Sequence, residues 1–309
     1  MKLSFVIPCY GSEKTLAGVV AELKSVMSER PAVGYEVILV CDHSPDAVYG
    51  VIERLHKDDP GHVRGVLLSR NFGQHAALMA GYARAEGDII VSLDDDGQTP
   101  VESVWELVDK VSCEGYDAVY GSYSDKKHGW FRNFSSRVND WMATWLLEKP
   151  GKLKVTSFFA VRRFVIDEML RYDQAFPYVI GLVLRITRNV VNVPVRHRER
   201  VSGKSGYSLT KLLGLWLNGF TSFSVKPLRV ASWLGLCCSF AGFCVGVWAV
   251  VNKLMIHPDA PIGYSSLMSA VLFIGGLLLL VLGLIGEYVS RIYLCMSRTP
   301  QYVVAKETE

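Results

Sequence analysis

The chain has 309 residues, room for two modest domains or one domain with an appendage. It is 50% hydrophobic and only 20% charged, and its mean hydropathy of +0.22 is apolar for a soluble protein. A net charge of +3 says little, because the basic residues are local and no nucleic-acid partner is expected, while seven cysteines without a Cys-x-x-Cys pair exclude a disulfide framework and a zinc site.

The first 125 residues alternate between two hydrophobic periods. "LSFVIPCY" reads as a buried strand and "EKTLAGVVAELKSVMSE" as an amphipathic helix. "YEVILVC", "VRGVLLS", "DIIVSLD" and "DAVYGSY" continue the strands, while "DAVYGVIERLHK", "QHAALMAGYARAE" and "VESVWELVDKVSCE" continue the helices. Short strands alternating with longer helices predict an α/β fold, a mostly parallel sheet with helices on both faces. Beyond residue 125 the alternation breaks. "SDKKHGWFRNFSSRVNDWMATWLL" mixes basic and aromatic residues, "TSFFAV" and "VVNVPV" read as strands, and "RFVIDEMLR" reads as a helix. "LTKLLGLWLNGFTSFSV" fits a helix lying in a membrane interface.

Two charge-free runs follow: Val230 to Val251, 22 residues, and Ile262 to Gly286, 25 residues. At 1.5 Å per residue each exceeds the roughly 30 Å of a hydrocarbon core, so both read as membrane spans. Lys226 and Arg229 precede the first, and Arg291, Arg298 and Lys306 follow the second, whereas the intervening loop has only Lys253 as a basic residue. The positive-inside rule places both termini in the cytoplasm. No signal peptide is expected, because "MKLSFVIPCY" leads straight into a strand. The expected organisation is a cytoplasmic domain over 1–208, juxtamembrane helices over 209–229, two spans over 230–288 and a cytoplasmic tail over 289–309.

Ligands of open α/β sheets bind beyond the carboxyl ends of the strands. Those ends carry Pro8 and Tyr10, then Asp42, then Ser69-Arg70-Asn71, then Asp94-Asp95-Asp96. No loop is a G-x-G-x-x-G or a P-loop, so neither a dinucleotide fingerprint nor a Walker site applies. Carboxylates in place of glycines and lysine call for a cation between themselves and any phosphate, and Mg²⁺ or Mn²⁺ suits that set. In extended geometry Asp94 and Asp96 share a side and Asp95 points elsewhere. Seven Lys or Arg fall between 196 and 229 against the single Glu199. That concentration fits anionic lipid headgroups near a membrane face.

These residues carry a resemblance. "FVIPCYGSEKT", "EVILVCDHSPD", "LLSRNFGQHAALMAGYARAEGDIIVSLDDDGQTP", "VPVRHRERVSGKSGYS" and "LLGLIGEYVSRIY" resemble family-2 glycosyltransferases of the polyprenyl-phosphate type. Among these are bacterial undecaprenyl-phosphate transferases of 4-deoxy-4-formamido-arabinose or glucose. The resemblance implies a GT-A nucleotide-sugar domain with a C-terminal transmembrane hairpin in the bacterial inner membrane, assembled as a homotetramer. It implies inverting, metal-dependent transfer from a nucleotide-diphosphate sugar, UDP favoured over GDP, to polyprenyl phosphate. Pro8, Tyr10, Asp42, Asp94 and Gln98 would line the nucleotide and donor pocket. Asp94 and Asp96 would form the metal pair, Asp96 foremost, and with Arg200 the catalytic set. Arg200, Ser205 and Tyr207 would close over the diphosphate and lipid phosphate. Charge, rather than the resemblance, adds Arg198 and Lys204 to these phosphates and sets Arg132 and Lys154 beside the acceptor.

Three departures from the family pattern stand out. The usual V-D-D-G-S-x-D is Val40-Cys41-Asp42-His43-Ser44-Pro45-Asp46, and the usual Y-N-E is Tyr10-Gly11-Ser12 with Glu13 one place on. Relatives carry an Asp, often assigned as catalytic base, shortly before an S-F-R-like motif; here Leu153 or Lys154 stands there and Phe159 replaces the Arg. A phosphate monoester is mostly dianionic at pH 7, so it needs no general base to become a nucleophile. The altered positions leave a second reading, a membrane-anchored nucleotide-binding scaffold with impaired catalysis. A processive polysaccharide synthase is a third, weakened by the lack of Q-x-x-R-W.

Overall fold

A computed structural model describes residues 1–123, 153–196, 263–297 and 299–308, with single positions between 231 and 248. The chain divides into two compact units, one of Met1–Tyr207 with Arg298–Glu309 and one of Ser208–Ser297.

The first unit is built on an eight-stranded sheet. In chain order its elements are β1 (Lys2–Cys9), α1 (Leu16–Ser28), β2 (Gly34–Cys41), α2 (Val48–Asp58), β3 (Val63–Leu68), α3 (Gln74–Tyr82) and β4 (Ile89–Ser92). There follow a 3₁₀ turn (Val101–Ser103), α4 (Val104–Ser112), β5 (Ala118–Tyr123), β6 (Phe159–Arg162), α5 (Arg163–Leu170), α6 (Val179–Ile186), β7 (Val190–Val195) and, last, β8 (Val304–Glu307). The strand order is β7-β5-β6-β4-β1-β2-β3-β8. β4, β1, β2 and β3 run parallel, as do β5 and β7, while β6 and β8 are antiparallel to their neighbours.

The centre of the sheet is apolar on both faces because helices cover both. In β1 seven consecutive residues from Leu3 to Cys9 are buried, so the period-2 alternation of a half-exposed strand is absent. Leu3, Phe5 and Ile7 join Leu16, Leu23, Val48, Ile52, Leu107 and Val108 in one core shared with α1, α2 and α4. The opposite face holds α3, α5 and α6. There α3 lies close against the sheet because Gly81 has no side chain: a Cβ at this position would stand 2.3 Å from Val6 Cγ1 and 3.2 Å from Val40 Cγ2.

The C-terminal segment is more than the tail expected from sequence. β8 pairs antiparallel with β3, which would otherwise be an edge strand. Gly65 and Thr308 exchange hydrogen bonds of 2.8 and 2.9 Å, Lys306 pairs with Glu53 at 2.6 Å, and Arg84 pairs with Glu307. In the second unit α7 (Tyr264–Met296) has 33 residues, about 50 Å of helix. Its stretch Phe273–Met296, mean hydropathy 2.0, is long and apolar enough to cross a membrane. It runs past Gly286, where the charge-free run of the sequence stops. The described residues between Ala231 and Trp248 are all helical. The expected juxtamembrane helices at 209–229 lie outside the described residues.

Gly81→Ala is expected to lower the thermal unfolding midpoint by the equivalent of about 1–3 kcal/mol through overpacking. Adding Val6→Ala should recover part of that loss, a coupling that a double-mutant cycle of midpoints reads directly.

Candidate active site

The parallel strands end along one edge of the sheet, and the loops there are tied to one another by side-chain hydrogen bonds. Asp42 follows β2, and its two carboxylate oxygens accept the backbone N–H groups of Phe72 at 2.7 Å and Gly73 at 2.8 Å. It is almost fully buried; burial raises its pKa while the two amides oppose that shift. Asp42 thus serves first as the anchor of the β3–α3 loop. On that loop the Arg70 guanidinium lies over the Phe72 ring, 4.6 Å from its centroid. The loops after β1 and β2 are joined in turn: Gly11 N–H donates to Ser44 Oγ at 2.8 Å, and Glu13 N–H donates to Asp46 Oδ2 at 3.0 Å. His43, standing where the family pattern has glycine, adopts a left-handed backbone with φ of 49°, an uncommon conformation for a side-chain-bearing residue.

The three aspartates after β4 face three different partners. Asp94 Oδ1 accepts Gln74 Nε2–H at 3.0 Å, and its Oδ2 accepts the Ser157 hydroxyl. Asp95 turns to the β1–α1 loop, where its Oδ2 accepts Tyr10 N–H at 2.9 Å and its carbonyl accepts the Thr15 hydroxyl at 2.7 Å. Asp96 Oδ1 accepts the N–H of Gln98 at 3.0 Å, across a turn made by Gly97 with φ of 74°. Burial raises the pKa of Asp94, helped by the charge of Asp96 and opposed by Ser157 and Gln74. Burial likewise pushes Asp95 up to about 6. Among the described residues none of Asp42, Asp94, Asp95 and Asp96 has an ion-pair partner within 4.0 Å.

Of the other residues expected at the site, Pro8 is buried within β1 opposite Val40, and Tyr10 just beyond it is 54% exposed. Leu153 is 5% exposed and packs inward, while Lys154 faces out. Asn192 of β7 holds the Lys154 backbone on both sides, accepting its N–H at 2.8 Å and donating to its carbonyl at 2.6 Å. Arg132, Arg198, Arg200, Lys204, Ser205 and Tyr207 lie outside the described residues. Sequence reasoning gave no role to Gln74, to Tyr123 or to Ser157, which opens the S-F-R-like stretch. Burial, with Asp94 and Asp96 nearby, pushes the Tyr123 hydroxyl up to about 12.

An edge of acidic loops at the strand ends of a mostly parallel sheet is where open α/β folds bind their ligands. Residues 4–170 match glycosyl transferase family 2. The chain belongs to that family. It is a glycosyltransferase with a GT-A fold, and its residues 226–292 match the GtrB C-terminal hairpin. Similar proteins include the undecaprenyl-phosphate 4-deoxy-4-formamido-L-arabinose transferases of Serratia proteamaculans (strain 568) and Enterobacter sp. (strain 638). They are 33% and 32% identical to this glycosyltransferase over 306 residues, covering 99% of it and 93% of each relative. Among solved structures, glucosyl-3-phosphoglycerate synthase from Mycobacterium tuberculosis aligns with TM-score 0.53 at 17% identity when bound to Mn²⁺, UDP-glucose and phosphoglyceric acid. That alignment covers 72% of this chain and 78% of that one. Its UDP complex aligns with TM-score 0.52 at 16% identity.

His75, second residue of α3, lies beside this edge and meets Tyr178 edge-on, with ring centroids 5.0 Å apart. Its Nδ1 is buried and has no hydrogen-bond partner among the described residues, and burial lowers its pKa to about 4. The unfolded chain takes up this proton near pH 6.5 and the folded one only near 4. The contribution of neutral His75 to stability is therefore complete above pH 6.5 and is lost as pH falls from 6.5 toward 4. His75→Gln should flatten the dependence of the unfolding midpoint across that window relative to wild type, by on the order of 2–3 kcal/mol. Asp42→Asn, which aims an amide N–H₂ at one of two backbone donors, should cost about 1–3 kcal/mol in the same measurement.

Proposed function

We propose that this glycosyltransferase moves a sugar from a nucleotide diphosphate to a polyprenyl phosphate at the cytoplasmic face of the bacterial inner membrane, with inversion at the anomeric carbon. The observation that carries this reading is the acidic strand-end edge, lacking a described cationic partner, in a chain whose relatives along 99% of its length are undecaprenyl-phosphate sugar transferases. A UDP-sugar is the favoured donor, in keeping with the UDP-glucose held by the structural neighbour. The hairpin at 226–292 supports a membrane location for the reaction, and the assembly is a homo-oligomer, a tetramer by resemblance.

The donor set fits a hard divalent ion, Mg²⁺ or Mn²⁺. Asp96, whose bond is to its own turn, would hold it with Asp94 close by, and diphosphate oxygens and water would complete the shell. When bound, such an ion neutralises charge on the departing nucleotide diphosphate. The chain's own residues do the rest. Tyr10 and the loop anchored by Asp42 receive the nucleotide, Gln98 lines the donor pocket, and Arg70 joins Arg198, Arg200, Lys204, Ser205 and Tyr207 as phosphate partners. Lys154 and Arg132 meet the acceptor phosphate.

An oxygen of the lipid phosphate forms the new bond to the anomeric carbon from the face opposite the diphosphate. The bond from that carbon to the diphosphate oxygen breaks, and its electron pair leaves with the nucleotide. The attacking phosphate is a dianion with a second pKa near 6 and has no proton to surrender. The family's Asp can therefore give way to Leu153 or Lys154, whichever stands at its position, without removing a required step.

Purified full-length protein with UDP- and GDP-sugars, undecaprenyl phosphate and Mn²⁺ is expected to release nucleotide diphosphate and form lipid-linked sugar. Chelation should stop turnover, and Asp96→Ala should lower kcat by about 10²-fold or more. Lys154→Ala should raise KM for the lipid phosphate while leaving KM for the donor nearly unchanged. Nucleotide binding without turnover across the whole panel would favour the scaffold reading.

A further inference from the structure

Six residues, 153–158, lead into β6 and lie between the acidic edge and β5 and β7. They are not part of a strand, yet polar side chains fix them at several points. Asn192 holds Lys154 from both sides, and its amide also donates to the Tyr120 carbonyl at 3.2 Å. The Thr156 hydroxyl lies 2.7 Å from the Gly121 carbonyl and 3.0 Å from that of Phe158. Phe158 and Phe159 are then fully buried, one after the other. On a backbone held in this way Ser157 has little freedom, and its hydroxyl donates to Asp94 Oδ2.

Asp94 has the opposite problem. It stands in the loop after a four-residue strand, and the terminal torsion of an aspartate is broad. Two donors from elements distant in sequence set its plane: Gln74 from the start of α3 and Ser157 from the segment before β6. Gln74 is exposed and long, whereas Ser157 is short and anchored on both sides.

We propose that Ser157 is a positioning residue for sugar transfer. Its hydroxyl holds the Asp94 carboxylate in the orientation that meets the donor. It also ties that orientation to the segment carrying Lys154, which lies three residues away and so within about 10 Å along the chain. This inference rests on the transferase reading above. Ser157 itself need touch neither substrate.

The test uses the full-length protein and three variants, Ser157→Ala, Ser157→Thr and Gln74→Ala. Kd for UDP and for GDP with Mn²⁺ is measured by calorimetry, KM for each substrate by steady-state kinetics, and the unfolding midpoint alongside. Ser157→Ala is expected to raise the nucleotide Kd and the donor KM about tenfold, the loss of one hydrogen bond to a charged group. KM for the lipid phosphate and the unfolding midpoint should change little. Ser157→Thr, which keeps the hydroxyl, should restore most of the donor affinity. Should Ser157→Ala fail to fold, Gln74→Ala must show the same donor-side defect at smaller size. An unchanged donor KM in Ser157→Ala, or both KM values and the midpoint shifting together without rescue by threonine, overturns the assignment. Wild type that binds neither UDP nor GDP removes the transferase reading and this inference with it. Wild type and Ser157→Ala binding equally well removes this inference alone.

Discussion

The site depends on holding carboxylates at one edge of a parallel sheet where, among the described residues, no cation lies within ion-pair distance to neutralise them. Taking a carboxylate from water is costly unless hydrogen bonds replace its hydration. Here the replacements come from backbone amides for Asp42 and Asp95 and from side chains for Asp94. The other end of the sheet shows the ordinary solution. Buried Glu36 accepts the Ser4 hydroxyl at 2.7 Å and the Glu86 amide at 2.8 Å, and its charge is met by Lys2 at 3.4 Å and Arg64 at 3.8 Å. Among the described residues, one edge has its buried carboxylate met by cations, and the other holds its aspartates with hydrogen bonds alone.

That contrast also organises the departures from the family pattern. Cys41 takes an acidic position but points into the hydrophobic core, so its substitution removes charge without unmaking the loop that Asp42 anchors. His43 takes a glycine position and keeps the left-handed backbone that glycine supplies cheaply, its Nδ1 lying 3.3 Å from the Leu68 carbonyl.

Much of this was legible in the sequence. The continuous apolar runs of β1 and β2 and the acidic cluster after β4 pointed to the sheet and to its acidic edge, since burial on both faces and local charge are sequence-local signals. Other features depended on partners remote in sequence. Helix α6, "VIGLVLRI", is a short apolar run that periodicity alone cannot tell from a strand. β8, "VAKE", has no hydrophobic alternation and becomes a strand only by pairing with β3. α3 ends at Tyr82, short of the Glu86 suggested by its pattern. Ser157 and Gln74 reach Asp94 across 63 and 20 residues, separations at which neither periodicity nor motif spacing carries information.

The place of β8 gives the sheet an order of assembly. Its outermost strand is translated after the whole of α7, so Gly65 waits 243 residues for Thr308. Until then the nascent sheet has β3 as an open edge, able to pair with any passing strand. During synthesis the whole of α7 is made before the sheet can be completed, so a chain interrupted within residues 226–292 would leave one identifiable strand, β3, open to pairing with another chain.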